Sequence, residues 1–343
     1  MLISEFDYDL PEELIAQNAL EKRENSRMLA VSRAGQNFSD EYFYDLPRFL
    51  KTGDCLVLNN TKVFPARLFG ASETGARIEL FLVREIEKQT WETLARPARR
   101  LKPGKIIRFD RHLAARVVEK TAEGRVIVCF ESEGDFNEIL EKVGQTPLPP
   151  YIRRDEGFLE TDKNRYQTVF AKKRGAIAAP TAGLHFTPEI LAEIKNLGVT
   201  IAEITLHVGY GTFEPVRVSD LSEHQVMPEK CEISAATAQT LNQAKAENQR
   251  IIAVGTTTTR ALESSTDKDG KILPGNRYAD LTITPGYKFK IIDGLLTNFH
   301  LPQSSLLVLV STFAGYDLTM QAYRHAVGSR YRFYSYGDCM LII

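Results

Sequence analysis

The chain has 343 residues, 43% hydrophobic and 25% charged, with a formal net charge of −1. That length supports a large core and two domains. The near-zero charge excludes a global positive field, so any nucleic-acid contact must come from a local patch. No apolar run nears the roughly 20 residues of a membrane span; the longest candidate is 306–310.

The N-terminal segment MLISEFDYDLPEELIAQ is acidic and amphipathic. It has no basic n-region or apolar h-region, so it does not read as a secretory signal. A short helix is predicted over 11–17, then two strands, the second over 54–59. Asn59-Asn60-Thr61-Lys62 reads as a hairpin connection, because asparagine tolerates left-handed backbone. From Ala66 to about Gly144 the texture changes. Short strands are predicted over 76–83, 90–95, 105–109, 114–119 and 125–130, separated by Gly75, Pro103-Gly104 and Glu123-Gly124. Near-regular spacing of this kind indicates a small β-barrel. A helix over 136–143 follows, and the proline-rich 146–151 forms a rigid connector.

Beyond it, strands and helices alternate. Strands are predicted over 176–179, 199–207, 251–254, 280–284 and 288–292. Thr187 caps a helix with Pro188 at its first position, running to about Leu197. Further helices are predicted over 234–248, 259–265 and 302–313, and Asp317 is expected to cap a last one to about Ser329. This alternation indicates an α/β domain. The expected architecture is a mixed sheet with helices, built from 1–65 and 151–343, interrupted by an inserted all-β barrel at 66–150. Cys55, Cys129, Cys231 and Cys339 are scattered among apolar neighbours without a CxxC pair, which fits reduced thiols in a cytosolic protein. The six histidines lack metal-binding spacing, and no metal is expected.

Several segments point to chemistry. In IAVGTTTTRALES (252–264) an apolar strand ends at Gly255 and runs into four threonines, Thr256 to Thr259, then Arg260. A strand entering a hydroxyl-rich helix start gathers free N–H groups and hydroxyls at one point. AAPTAGLHF (178–186) and LTNFHLP (296–302) place His185 and His300 in loops rich in Gly, Pro and small polar residues. In TLHVGYGTF (205–213), His207 precedes glycines that allow close approach to the backbone. These four loops are expected to converge on one cleft. Arg96, Arg99, Arg100 and Lys102 form a strongly basic loop suited to phosphates. Arg153-Arg154 and Lys172-Lys173-Arg174 form a second basic cluster. GxGxxG and GxxxxGK[ST] are absent, so neither a Rossmann dinucleotide site nor a P-loop is indicated.

Together with FDYDLPEELIAQ, CLVLNNTKVFPARLFG, RPARRLKPG, PLPPYIRR, NRYQTVFA, TPGYKF and YRFYSYGDCMLII, these segments closely resemble the S-adenosylmethionine:tRNA ribosyltransferase-isomerases of queuosine synthesis. The resemblance runs almost end to end. Two positions depart from it: Asn60, where the family usually has Asp, and Met227, where a second histidine usually follows His224. The resemblance implies a cytoplasmic transferase and isomerase, expected to be a monomer, acting in tRNA modification. It would transfer the ribosyl part of S-adenosylmethionine to 7-aminomethyl-7-deazaguanine at the wobble position of a GUN anticodon. The ribose would rearrange to give epoxyqueuosine, with release of adenine and methionine. S-adenosylmethionine is then a consumed substrate, and no cofactor is required.

That chemistry needs a base for the acidic C5′ protons and an acid for departing adenine. His185, His207, His300 and Asp338 are the candidates. The methionine carboxylate suits a guanidinium or a helix N-terminus, and Arg260 beside the threonine run offers both. Gly209, Tyr210, Gly211, Thr212, Thr256, Thr257, Thr258 and Arg260 are the expected S-adenosylmethionine contacts. The sulfonium suits an aromatic face, for which Tyr210, Phe213, Phe299 and Tyr287 are candidates. Arg96, Arg99, Arg100 and Lys102 are the expected tRNA contacts.

Overall fold

Strands buried on both faces read as unbroken apolar runs, and four short runs of this kind build the centre of the molecule. The computed structural model describes residues 1–154, 160–213 and 216–343. In chain order the strands are β1 (Arg27–Ser32), β2 (Asn37–Tyr42), β3 (Cys55–Asn59), β4 (Thr61–Val63), β5 (Arg67–Ser72), β6 (Arg77–Glu87), β7 (Thr90–Arg96), β8 (Ile106–Arg108), β9 (Leu113–Lys120), β10 (Val126–Ser132), β11 (Lys173–Ala176), β12 (Thr200–Leu206), β13 (Glu229–Ile233), β14 (Ile251–Val254), β15 (Gly275–Ala279), β16 (Gly294–Asn298) and β17 (Cys339–Ile342). The helices are α1 (Phe136–Val143), α2 (Glu160–Arg165), α3 (Pro188–Asn196), α4 (Ala235–Ala246), α5 (Thr256–Ser264), α6 (Ser305–Ala314) and α7 (Tyr316–Gly328).

Among the described residues, nine strands form one mixed sheet in the order β15-β13-β12-β3-β14-β16-β17-β1-β2. β12, β3, β14 and β16 run parallel, so their carboxyl ends share one edge. Alternate residues serve opposite faces. Cys55, Val57, Ile251, Ala253 and Leu295 join the core under α4, α5, α6 and α7. Leu56, Leu58, Ile252, Val254 and Leu296 pack toward α3 and the 3-10 stretch Phe43–Phe49.

The inserted barrel is closed by six antiparallel strands in the order β10-β7-β6-β5-β8-β9. Its interior is filled by one face of each strand, including Leu68, Leu80, Leu82, Val117, Val126 and Val128, and α1 adds Phe136 and Leu140. The strand β5 lies outside the predicted strands, and Gly70 sits within it. In the structure Gly70 is a close-approach residue: a Cβ would meet the Arg108 carbonyl oxygen at 2.7 Å.

Some expectations need correction. The predicted helix over 11–17 is only a 3-10 turn, Glu12–Leu14, after which Ile15 bridges to Phe333. Asn59 to Lys62 is not a hairpin: β3 sits in mid-sheet, and β4 leaves it to pair parallel with β11. The strand expected at 176–179 lies earlier, as β11. Asp317 lies in the first turn of α7, whose cap is Gly315 at φ +96°. By contrast Thr187 does cap α3, accepting from the Ile190 N–H.

The strands expected at 280–284 and 288–292 are absent, and the edge strand β15 precedes them. Glu263, buried on α5, holds that region instead. One carboxylate oxygen accepts from the Tyr287 hydroxyl at 2.7 Å and the Lys290 N–H at 2.9 Å. The other accepts from the Ile291 and Ile292 N–H groups at 3.1 and 3.3 Å. Backbone donors that a neighbouring strand would satisfy are thus satisfied by one side chain. Glu263→Ala strands these buried donors and is expected to destabilise the protein by about 3 kcal/mol. Urea unfolding checks this: the midpoint should fall with the slope unchanged, and an unchanged midpoint would refute the clamp.

Candidate active site

The shared edge of the parallel strands opens into a cleft, the usual place for a ligand in an open α/β sheet. Its walls come from 178–182, from Val208 after β12, from Gly255, Thr256 and Thr257 after β14, and from 297–300 at the end of β16. Tyr151, Tyr166, Leu306, Tyr334 and Ser335 complete it, and it is open to solvent. Three of the four expected loops therefore meet in one cleft. The fourth supplies only Val208. Gly255 takes φ +94°, a left-handed backbone suited to glycine, and no side chain caps α5. The first N–H groups of α5 are thus left for a ligand, with Thr256 and Thr257 beside them.

The three candidate histidines separate clearly. His300 lines the cleft, with its Nε2 2.8 Å from the Thr297 hydroxyl. Burial pushes its pKa down to about 3. His185 lies behind the wall, with Nδ1 2.9 Å from the Ser26 hydroxyl and Nε2 3.2 Å from Asn298 Oδ1. The Asn298 amide donates to the Tyr334 and Ser335 carbonyls, which turns Oδ1 toward the ring and puts the His185 proton on Nε2. Burial pushes its pKa down to about 4. With both nitrogens bonded, His185 holds Asn298 in place. His207 lies outside the cleft, bonded to Thr61 at 2.8 Å and packed over Gly175. Burial and Lys173 lower its pKa.

Asp338 is corrected from acid to backbone clamp. Its two oxygens accept from the Arg27 and Arg332 N–H groups, and it does not line the cleft. Burial raises its pKa. Thr258 is turned inward, donating to the Val254 carbonyl at 2.6 Å. Arg260 also has other work: it pairs with buried Glu229 at 2.8 Å and donates to the Met227, Ala279 and Leu281 carbonyls. Glu229 in turn accepts from the Gly209 N–H at 2.9 Å. Arg260, Gly211 and Met227 face a neighbouring cavity that shares Leu306 with the cleft. A carboxylate reaching Arg260 would have to displace Glu229. Tyr210 packs edge-on against Phe81 of the barrel. Thr212 lies in the same short turn, and the side chains of Thr212 and Phe213 fall outside the described residues.

Arg96, Arg99, Arg100 and Lys102 stand exposed at the end of β7 and on the loop before β8. The second basic cluster is largely consumed internally. Arg154 forks onto buried Asp162, Lys172 binds Glu203, Lys173 binds Glu232, and Arg174 stacks on Phe64. Sequence reading missed Tyr151, Tyr166, Tyr334 and Ser335. The signal available was YSYG, whose first tyrosine takes a left-handed backbone at φ +75°.

Residues 3–342 match the family model described as queuosine biosynthesis protein. The S-adenosylmethionine:tRNA ribosyltransferase-isomerase of Carboxydothermus hydrogenoformans is 50% identical over 344 residues, covering 100% of both chains. That of Natranaerobius thermophilus is 49% identical over 345 residues, covering 100% of this chain and 99% of the relative. Among solved structures, the S-adenosylmethionine tRNA ribosyltransferase of Thermotoga maritima is similar at 36% identity and a TM-score of 0.57, covering 99% of this chain and 100% of that one.

The buried histidines link stability to pH. Below about 6.5 the unfolded chain takes up protons that the folded rings refuse. Their contribution is therefore complete above the unfolded pKa and is lost as pH falls toward about 4 for His185 and about 3 for His300. Each should add about 1.4 kcal/mol per pH unit to the decline. His185→Gln should remove one such share between about pH 6 and about pH 4.5. Chemical unfolding across that range tests it, and an unaltered slope would show that the ring is protonated in the folded protein.

Proposed function

The chain belongs to the queuosine biosynthesis protein family, and from that premise we propose that it is an S-adenosylmethionine:tRNA ribosyltransferase-isomerase. The specific reading is transfer and isomerisation of the ribosyl moiety of S-adenosylmethionine onto the 7-aminomethyl-7-deazaguanine wobble base of GUN-anticodon tRNA. Epoxyqueuosine forms, and adenine and methionine leave. The observation that supports this reading best is the cleft at the sheet edge, where the N-terminus of α5, Thr256, Thr257 and His300 meet.

The methionine carboxylate takes the uncapped N-terminus of α5, where N–H groups and the helix dipole favour an anion. Arg260 is not needed for this, being held by Glu229. His300 is the proton carrier. Burial keeps its ring neutral, the form a base requires, while weakening its basicity. The same burial makes the resulting imidazolium a strong acid, suited to protonating the departing adenine. One proton then travels from C5′ to the leaving group through one side chain. The exposed cations of the barrel loop contact tRNA phosphates, which position the RNA without reading its sequence.

Incubation with S-adenosylmethionine and tRNA bearing the aminomethyl-deazaguanine should release adenine and methionine. Release of S-adenosylhomocysteine would mean methyl transfer, and binding without turnover would mean a tRNA-binding module. His300→Ala should lower adenine release roughly 10²–10⁴-fold; near-normal turnover in that variant would remove His300 from the mechanism.

The double variant Arg99→Ala, Arg100→Ala should weaken tRNA binding and reduce its log–log salt slope by about 1.5. Affinity for S-adenosylmethionine should stay as in the parent. Unchanged tRNA affinity would dismiss the patch.

A further inference from the structure

Two of the aromatic candidates read from sequence offer no free face to the cleft. Tyr210 packs on the barrel, and Tyr287 turns its hydroxyl to Glu263 and its ring to Phe289. Phe299 lines the cleft but is boxed by Tyr323, Tyr331 and Phe333. The other aromatic walls are Tyr151, Tyr166 and Tyr334.

Tyr334 stands out because its backbone is unusual. A φ of +75° is an outlier for a bulky side chain and is kept only where surroundings over-determine it. Three hydrogen bonds do so. The Tyr334 N–H donates to the Phe299 carbonyl, and the Tyr334 carbonyl accepts from the Asn298 amide and the Gly337 N–H. Gly337 is required by the tightness of this turn, since a Cβ there would lie 2.5 Å from the Arg332 carbonyl oxygen. Tyr151 stands edge-on to the Tyr334 ring, centroids 3.8 Å apart, and its hydroxyl bonds to Ser335. Tyr166 is fully buried. Its hydroxyl lies near Ser335 and the Ala179 backbone yet makes no hydrogen bond of good geometry within the protein. No Asp, Glu, Lys or Arg lines the cleft among the described residues.

We propose that Tyr334, braced by Tyr151 and beside Tyr166, is the seat of the sulfonium of S-adenosylmethionine. The proposal rests on the reading of S-adenosylmethionine as the ligand of this cleft. A sulfonium has no N–H to donate, so it forms no conventional hydrogen bond to an acceptor. With no carboxylate in the wall, the negative faces of the aromatic rings are the feature of this cleft best suited to its charge. The turn at 334–337 spends a strained backbone on presenting one such ring, which a purely structural tyrosine would not need.

The test compares S-adenosylmethionine with S-adenosylhomocysteine, which keeps the purine and the carboxylate but is an uncharged thioether. Binding of both is measured by calorimetry in the parent and in Tyr334→Phe, Tyr334→Leu and Tyr334→Gly. Glycine relieves the backbone at this φ, so it decides the matter if the leucine variant does not fold. The phenylalanine variant keeps the ring and should keep the parental preference for the sulfonium. In the leucine and glycine variants that preference should fall roughly 2- to 30-fold, with S-adenosylhomocysteine binding little altered. Equal loss for both ligands would place the adenine or the methionine against Tyr334 and overturn the proposal, as would no loss at all. Either result, with adenine release intact in the parent, overturns only this seat. A parent that binds neither ligand and releases no adenine overturns the functional reading with it.

Discussion

Parallel strands that stop together leave backbone groups without partners, and here they stop inside the protein. Every buried N–H and C=O at that edge must still be satisfied. Two asparagines do much of this. Asn59, at the end of β3, accepts from the Thr61 and Leu206 N–H groups and donates to the Leu206 carbonyl. Its side chain thereby continues the pairing of β3 with β12 past the last backbone rung. Asn298, at the end of β16, does the same for the loop at 334–335 and is oriented by His185 and Ser26. Asn298 lines the cleft, and among the described residues its wall carries no Asp, Glu, Lys or Arg.

That neutrality sets the electrostatics of the cleft. In a wall without carboxylates or ammonium groups, weaker fields decide where a charged ligand sits: the α5 N-terminus for an anion, the tyrosine faces for a cation. Strong charges are kept apart from it. Arg260 is neutralised by Glu229, and Arg154 by Asp162, both buried. Arg96, Arg99, Arg100 and Lys102 stand exposed on the barrel, where water screens them and a polyanion can reach them. A net charge of −1 thus coexists with a local basic loop, and the proposed small-molecule and RNA contacts fall on separate parts of the chain.

The architecture was legible where hydrophobic pattern and caps agreed. Thr187-Pro188 opened α3, 251–254 is a strand of those bounds, and the Gly-punctuated strands of the insert did signal a barrel. Short strands escaped where their pattern was masked: β16 hides in a loop-like LTNFH, and β17 is four residues at the chain end. The false strand at 288–292 had the right composition, but Glu263 took its donors. The site was legible only as segments. His185, His207 and His300 sit in comparable loops, and nothing local says which faces the cleft. That depends on Asn298, Ser26 and Thr61, distant in sequence. Arg260 misled for the same reason: its partner Glu229 lies 31 positions away.

The Asn60 departure follows from a neighbour. Its amide group donates to Glu203 Oε2 at 3.1 Å, and its carbonyl oxygen accepts from the Thr205 hydroxyl at 2.7 Å. Glu203 also holds Lys172 through both oxygens, at 2.6 and 2.7 Å. An aspartate at position 60 would place a second carboxylate against Glu203 and replace a hydrogen bond with repulsion between like charges. Asparagine keeps the shape of the turn while supplying the donor that Glu203 needs. Position 60 also lies away from the cleft, on the side of β3 that faces Thr205 and Lys172. Asn60 is therefore matched to Glu203 and the sheet edge, and the departure leaves the cleft's own residues untouched.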